Sequence, residues 1–480
     1  MDAETLREKY PKFVYRDYSY QIQEKDLKIS FYFKVSPEIE FHPSLTIKNI
    51  NKSRFKAIEK EVLNNLIFNL GLIEMLSYWK ATCSPQIKVK AGPLGRKKIN
   101  WWKGLIIDGM GQYFYENQIN WRSSDFLSIT SESKQAKPLK PFKGKLKKDF
   151  LVPIGGGKDS AATLEIIKQT NSNFSCFGLN PSPNTEKIME IGGCKKAIEV
   201  TRKIDQKLLD MNKEGFLNGH TPFSAYLAFL SVLLAILFNK QKIAFSNERS
   251  ANEGNLKYLG REVNHQYSKS FDFEKKFAKY CRQNLAKDVK YFSLLRPLYT
   301  IQIAKIFARH PQYFPYFVSC NEAFKTNSGT KEPVKKWCGE CAKCLFVFAI
   351  LYPFVSKDKM VEMFGKNLFE DKELLPLMRS LIGIKKPKPF ECVGTRKESM
   401  VAFYLSWKKA NRVGESPELL DYFQNKILPR KIRKGFVRGM SQYPKLEKMA
   451  DKLMRDWNKK HNVPKNIKSI LKNSLILEEV

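Results

Sequence analysis

Residues 150–169 read FLVPIGGGKDSAATLEIIKQ. An apolar run enters three glycines; a lysine, an aspartate and a serine follow; Ala162, Leu164, Ile166 and Ile167 then recur as the apolar members of a helical pattern. Strand, glycine loop and helix together make a phosphate holder: residues without side chains let backbone N–H groups face an anion, and the positive end of the next helix points to the same place. The loop is not a Walker A loop, which needs a glycine where Val152 stands and a Ser or Thr where Asp159 stands. Nor is it a dinucleotide GxGxxG, because Lys158-Asp159-Ser160 break that spacing.

Outward from this loop the pattern stays α/β. Residues 174–182, FSCFGLNPS, read as a second strand leaving into a Pro-Ser loop, and 195–205, KKAIEVTRKID, as a crossover helix with a following strand. In GHTPFSAYL, Thr221 is placed to cap a helix whose first turn holds Pro222. The apolar run 223–238 that follows is short for a membrane span and closely bracketed by Pro222 and Asn239, so a buried helix is expected. KIAFSNERSANEGN (242–255) is a short strand entering a polar loop. Such alternation implies a mostly parallel sheet wrapped by helices, with ligands at the carboxyl ends of the strands, where GGGKDS and NERSANEGN both fall.

The expected organisation is an N-terminal α+β domain over 1–132, a basic linker over 133–148, a central parallel-sheet domain over 149–345 and a mainly helical region over 346–480, strongly basic after Gln424. In the first part 26–35 and 44–50 read as strands and 53–82 as one or two apolar helices. The start, MDAETLREKYPKF, carries no apolar signal segment, and nine cysteines in a long chain favour a reducing cytoplasm over a disulfide framework. Lys and Arg exceed Asp and Glu by 84 − 48 = 36. That excess suits a polyanion or a small polyanionic substrate such as a nucleotide sugar, and equally a solvated surface.

Residues 337–348, WCGECAKCLFVF, set Cys338, Cys341 and Cys344 at two-residue gaps, with Cys320 upstream in FVSCNEAF. Four thiolates so spaced close tetrahedrally on Zn²⁺, and Gly339 permits the tight turn. An iron–sulfur cluster and an unmetallated group stand as alternatives to the structural zinc.

GGGKDS resembles the PP-loop of the ATP pyrophosphatases, SGGxDS, with Gly155 in place of the first serine. The resemblance implies ATP held by Gly155, Gly156, Gly157, Asp159 and Ser160, with Asp159 meeting Mg²⁺ or the ribose side; Lys158 reads as a phosphate contact or an exposed loop-edge lysine. The cysteine arrangement after such a domain is similar to that of the cyano-deazaguanine synthases, where it holds zinc. NERSANEGN (247–255), VNHQYSKSFDFE (263–274), YFSLLRPLYTIQIAKIF (291–307) and KPFECVGTRKE (388–398) add greater specificity. With the glycine loop and the cysteine cluster they resemble the MurL family, ATP-dependent epimerases of UDP-N-acetylmuramoyl-L-alanyl-L-glutamate, over residues 150–400.

That likeness implies a peptidoglycan-precursor enzyme that inverts the terminal L-glutamate through an acyl-adenylate and releases AMP and diphosphate. Asn247, Glu248, Arg249, Ser250 and Asn252 would then hold Mg²⁺ and substrate. Arg296 would clamp a carboxylate, and Arg396 belongs to a polar cluster with Glu391, Cys392 and Thr395. His265 and Lys269, four apart, are candidates for one helix face toward a phosphate or the glutamyl carboxylates. Cys392 and Cys194 are the two candidate proton-transfer thiols. The main alternative is a PP-loop enzyme that adenylates a tRNA base for thiolation or amination; a third is a non-catalytic nucleic-acid binder on a decayed loop.

Overall fold

The computed structural model describes residues 1–132, 138–324, 336–428 and 443–476. Its strands, in chain order, are β1 (Lys12–Gln23), β2 (Asp26–Ser36), β3 (Ile39–Phe41), β4 (Ser44–Ile47), β5 (Gln86–Val89), β6 (Ser128–Ser131), β7 (Lys147–Pro153), β8 (Phe174–Leu179), β9 (Ile198–Lys203), β10 (Lys240–Phe245), β11 (Leu256–Tyr258), β12 (Arg261–Val263) and β13 (Lys290–Ser293). β11 and β12 form a separate hairpin. The other eleven make one sheet in the order β13-β10-β7-β8-β9-β4-β2-β1-β5-β6, with β3 beside β2. Both flanks are parallel and the stretch β9-β4-β2-β1 is antiparallel. The fold is therefore mixed α/β, with a large, mostly parallel sheet.

Alternation along the central strands explains the layering. Leu151, Ile243 and Tyr291 belong to one apolar core, and their neighbours Phe150, Val152, Ala244 and Phe292 to another. Side chains alternate faces at a period of two, so these strands are covered on both sides, as parallel strands are. The first core takes in the N-terminal strands and the helix Phe223–Leu237. The second takes in the glycine-loop helix Lys158–Lys168 and the C-terminal helices, among them Ala342–Leu351 and Arg396–Arg412. Thirteen of the fifteen residues of Phe223–Leu237 are buried, which accounts for its all-round apolarity. Among the described residues no helix is long and apolar enough to cross a membrane.

Three expectations change, and one strand went unread. β1 was not legible: a bulge between Tyr15 and Asp17 switches the buried face and breaks the alternation. The crossover helix is Pro183–Ile191, earlier than 195–205, because Ser182 caps it and Pro183 starts it; Gly192 and Gly193 follow, and 198–203 is strand β9. The buried helix begins at Phe223 with Pro222, not Thr221, at its cap. Of the stretch read as a linker, 133–137 lie outside the described residues. Its remainder is hydrogen-bonded, Lys140 N–H donating to the Glu61 carbonyl at 3.1 Å and Phe142 N–H to that of Leu285 at 2.7 Å. Within the basic tail, 429–442 and 477–480 lie outside the described residues.

β4 joins the N-terminal strands to the central ones by pairing antiparallel with β9, from Ser44 opposite Lys203 to Ile47 opposite Val200. An ion pair seals the joint. Arg202 of β9 donates to both carboxylate oxygens of Glu74 at 2.7 and 2.9 Å and to Ser77 Oγ at 2.9 Å, and its guanidinium stacks 4.8 Å over Tyr226. Glu74 is 1 % exposed, so removing its partner strands a buried charge. Arg202→Met is expected to cost roughly 3–5 kcal/mol, read as a lower urea midpoint; an unchanged midpoint would show that the joint bears no load.

Candidate active site

The glycine loop leaves β7 at the carboxyl edge of the sheet. Gly156 has φ +81°, a left-handed conformation, and a Cβ there would lie 2.8 Å from Thr185 Oγ1, so glycine is required on both counts. Gly155 is exposed, with open space where a side chain would be. Gly157 precedes the first turn of the helix Lys158–Lys168. Gly155 N–H donates to Ser160 Oγ at 3.2 Å, which leaves the hydroxyl hydrogen to donate outward. Lys158 is buried rather than at the loop edge, and its ammonium donates to Asp159 Oδ1 at 2.6 Å.

β10 lies beside β7 and β13 beside β10, and the two strands deliver three further candidates to the same edge. Asn247, just past β10, donates through Nδ2 to Ser293 Oγ at 3.2 Å. Glu248 is 9 % exposed, and its carboxylate makes no hydrogen bond or ion pair among the described residues, so that group is available to a cation. Arg296, past β13, is fully buried and turned into protein. It donates to Glu274 at 3.1 Å, to the Glu248 and Lys269 carbonyls at 2.5 Å each and to Ser293 Oγ at 3.2 Å. Its guanidinium thus holds two loops in place.

The other residues of the second loop also brace it. Arg249 pairs with Asp456 at 2.8 Å and lies 4.2 Å over the Tyr299 ring. Ser250 Oγ accepts from Thr300 N–H at 3.2 Å. Asn252 accepts from Phe271 N–H at 2.8 Å. Arg396 N–H donates to Glu253 at 3.0 Å, and its guanidinium to the Asn255 carbonyl at 3.2 Å. Thr395 caps the helix Arg396–Arg412 in a reciprocal box with Glu398.

Cys392, in the loop before that helix, is where the candidates converge. Lys269 Nζ lies 3.1 Å from its sulfur, and His265 Nε2 lies 3.8 Å away. His265 and Lys269 share no helix face; a short turn, Tyr267–Lys269, brings both to the thiol. Burial opposes the Cys392 thiolate, but the ammoniums of Lys269 and Lys343 outweigh it and hold the thiol below its ordinary value. For Lys269 burial likewise opposes the charge, and Cys392 and Glu248 reverse it, raising the ammonium above its usual range. His265 is pushed down to about 3 by burial, then by Lys269, Lys343 and Lys388, so its imidazole is neutral. Asp159 acts on both Cys392 and Lys269, which puts the glycine loop and the thiol in one electrostatic field.

Cys320, Cys338, Cys341 and Cys344 present sulfurs that all lie within 4.8 Å of one another. Four sulfurs on one tetrahedral ion at about 2.3 Å stand roughly 3.8 Å apart, and Cys344 is 3.6 Å from Cys338 and 3.5 Å from Cys341. Gly339, at φ +74°, makes the turn. Cys344 N–H points at Cys341 sulfur at 3.4 Å and Glu340 N–H at Cys338 sulfur at 3.4 Å. The set can hold a metal. It also braces the site from both sides: Val318, two residues before Cys320, donates to the Gly156 carbonyl at 3.0 Å. Between Cys341 and Cys344, Lys343 donates its N–H to Glu391 at 2.6 Å and its ammonium to the Cys392 carbonyl.

Of the two candidate thiols Cys194 drops out, because its sulfur is bonded to Cys176, a single disulfide among the described residues that departs from the reduced cysteines expected of this chain. Four contributors were not foreseen: Lys343, Lys388, Gln112 and His220. Two carried a signal, Lys343 by its place inside the cysteine spacing and Lys388 as the first residue of KPFECVGTRKE. Gln112 Oε1 lies 2.5 Å from His265 Nδ1, and the His220 ring is 4.3 Å from that of His265; nothing in the sequence around either marks it.

Two family models match the chain, the MurL N-terminal domain over residues 4–294 and the MurL C-terminal domain over 316–428. A protein of Xanthomonas oryzae pv. oryzae, named UDP-N-acetyl-alpha-D-muramoyl-L-alanyl-L-glutamate epimerase, is 33% identical over 333 residues, covering 69% of this chain and 72% of that one. Proteins of the same name from a Micromonospora strain and from Salinispora tropica are each 34% identical. The first alignment covers 72% of this chain and 75% of the relative, the second 72% and 73%.

The geometry predicts an unusually reactive thiol. Cys392 should be alkylated by iodoacetamide, as followed by peptide mass spectrometry, at a pH below that needed for an ordinary cysteine. Lys269→Met should move the midpoint upward and slow the reaction at pH 7 about tenfold or more. Equal rates in the two proteins would refute the ion pair.

Proposed function

The chain belongs to the MurL family, and from that premise we propose that it inverts the terminal L-glutamate of UDP-N-acetylmuramoyl-L-alanyl-L-glutamate to D-glutamate, consuming ATP and supplying a peptidoglycan precursor in the cytoplasm. The observation that carries this reading is Cys392, a thiol held between an ammonium and an imidazole in the same field as the glycine loop. The name shared by the relatives favours it over adenylation of a tRNA base.

A free carboxylate opposes a neighbouring carbanion, so the chemistry begins by removing that charge. The glutamate carboxylate attacks the α phosphorus of ATP, diphosphate leaves, and a neutral acyl ester remains. Backbone N–H groups of Gly156 and Gly157 and the outward hydroxyl of Ser160, which Gly155 N–H orients, hold the phosphates. Asp159, Asn247 and Glu248 supply the oxygen donors that suit Mg²⁺, which when bound would neutralise phosphate charge.

The Cα proton then passes to the Cys392 thiolate. Lys269 lies beside the sulfur as a fixed positive charge for the electrons left on the ester oxygen. A thiol held below its usual value is matched to this task near neutral pH. A solvent-derived proton delivered on the opposite face inverts the centre, Cys392 returns its proton to solvent, and water releases AMP and the D-glutamate carboxylate. Cys320, Cys338, Cys341 and Cys344 would hold a structural Zn²⁺, which supplies no step of the reaction but ties the Gly156 side of the site to the Cys392 side. The close sulfur spacing favours one ion over an iron–sulfur cluster, whose cysteines are separated by several irons.

In deuterated water, protein, ATP, Mg²⁺ and the dipeptide substrate should give deuterium at the glutamate Cα, D-glutamate and AMP with diphosphate together. Asp159→Asn should abolish all of them. Cys392→Ser should lose exchange by about 10²–10⁴-fold while diphosphate release persists; full exchange in that variant would remove Cys392 from the mechanism. Elemental analysis should find close to one zinc per chain, and iron with a visible absorption band would overturn the metal assignment.

A further inference from the structure

Gln112 comes from the helix Gly111–Glu116, far in sequence from every motif of the site. Its side-chain amide is oriented by Glu116: Nε2 donates to Glu116 Oε1 at 2.7 Å. The reverse orientation would set the amide oxygen against that carboxylate. Oε1 therefore faces His265 Nδ1 at 2.5 Å. An amide oxygen only accepts, so Nδ1 carries the ring hydrogen. The imidazole is neutral, held to about 3 by burial and by Lys269, Lys343 and Lys388. A neutral ring has one hydrogen, so Nε2 is a bare acceptor, and it lies 3.8 Å from Cys392 sulfur.

The backbone keeps this pair in register. His265 N–H donates to Asn255 Oδ1 at 2.9 Å, Gln266 Nε2 donates to the Val393 carbonyl at 3.1 Å, and Asn255 Nδ2 to that of Pro389 at 2.6 Å. The two loops are stapled on either side of the contact. The charged and titratable groups around the thiol are Lys269, Lys343, Asp159, Glu391 and His265; around the imidazole they are Lys269, Lys343, Lys388 and His220, with Lys80 beyond.

We infer that Gln112 is a positioning residue that locks His265 as its Nδ1–H tautomer, so that Nε2 receives the Cys392 S–H hydrogen and keeps the thiolate from being over-stabilised. Lys269 draws the cysteine toward thiolate, and the bare Nε2 draws it back toward thiol. A base balanced in this way takes up the Cα proton and then turns the new S–H hydrogen to the imidazole, away from the face it came from. Without Gln112 the other tautomer is open, with Nε2–H donating to the thiolate, which gives a more acidic thiol and a weaker base. The proposal rests on the reading of Cys392 given above, but its alkylation and nitrogen-15 tests need no substrate and stand apart from the epimerase reaction.

In Gln112→Leu the midpoint of Cys392 alkylation should fall, with about a tenfold faster reaction at the acid end, and kcat for epimerisation should drop about tenfold with KM little changed. A folded variant with an unchanged or higher midpoint overturns the proposal, since a residue that only packs would leave the thiol as it was. Nitrogen-15 spectra of the wild-type protein, which has five histidines, give a reading independent of the variant's folding. Protonated Nδ1 with bare Nε2 at His265 supports the proposal; protonated Nε2 overturns it.

Discussion

Four pairs of residues between β4 and β9 hold the architecture together. Without that antiparallel ladder the N-terminal strands would form a sheet with an open edge, and the central strands would end at β9. With it, one sheet runs through both regions, and the helices packed on it are fixed in a common frame. The helix Gly111–Glu116 then stands close enough for Gln112 to reach His265, although 153 residues separate them. The glycine loop, the second loop and the Cys392 loop all meet at the carboxyl edge of strands that belong to the same sheet.

The site concentrates cations. Lys158, Lys269, Lys343 and Lys388 crowd around one thiol and one loop, and their mutual repulsion is offset by Asp159, Glu253, Cys392 and the backbone carbonyl of Cys392. Such a site is unfavourable empty and favourable filled by anions, which suits the proposed reaction of a nucleoside triphosphate with a carboxylate. The same field lowers His265 and Cys392, so one set of charges keeps the imidazole neutral and the thiol ready to ionise.

What the sequence revealed was local. GGGKDS announces itself because glycine, aspartate and serine within six positions have few other uses, and the cysteine cluster because two-residue gaps are the reach of a metal knuckle. Ionic partners distant in sequence were hidden. Arg296 offered a free guanidinium on paper, and Glu274 and two carbonyls occupy it in the fold. Cys194 looked equal to Cys392 until Cys176, 18 residues away, claimed its sulfur. β1 was masked by its own bulge, and Gln112 and His220 have neither spacing nor composition to mark them; only the sheet brings them in.

Arg296 has one more implication. A guanidinium is a rigid planar fork, and here its three nitrogens are bonded to Glu274, Ser293 and the carbonyls of Glu248 and Lys269. The separation between Glu248 and Lys269 is thereby set by covalent geometry rather than by soft packing. Lysine, a point charge on a flexible stem, would satisfy the charge and lose the spacing. The tolerance of the site, meaning how far its two loops drift as the protein breathes, is that of a single flat group of atoms at the end of one side chain.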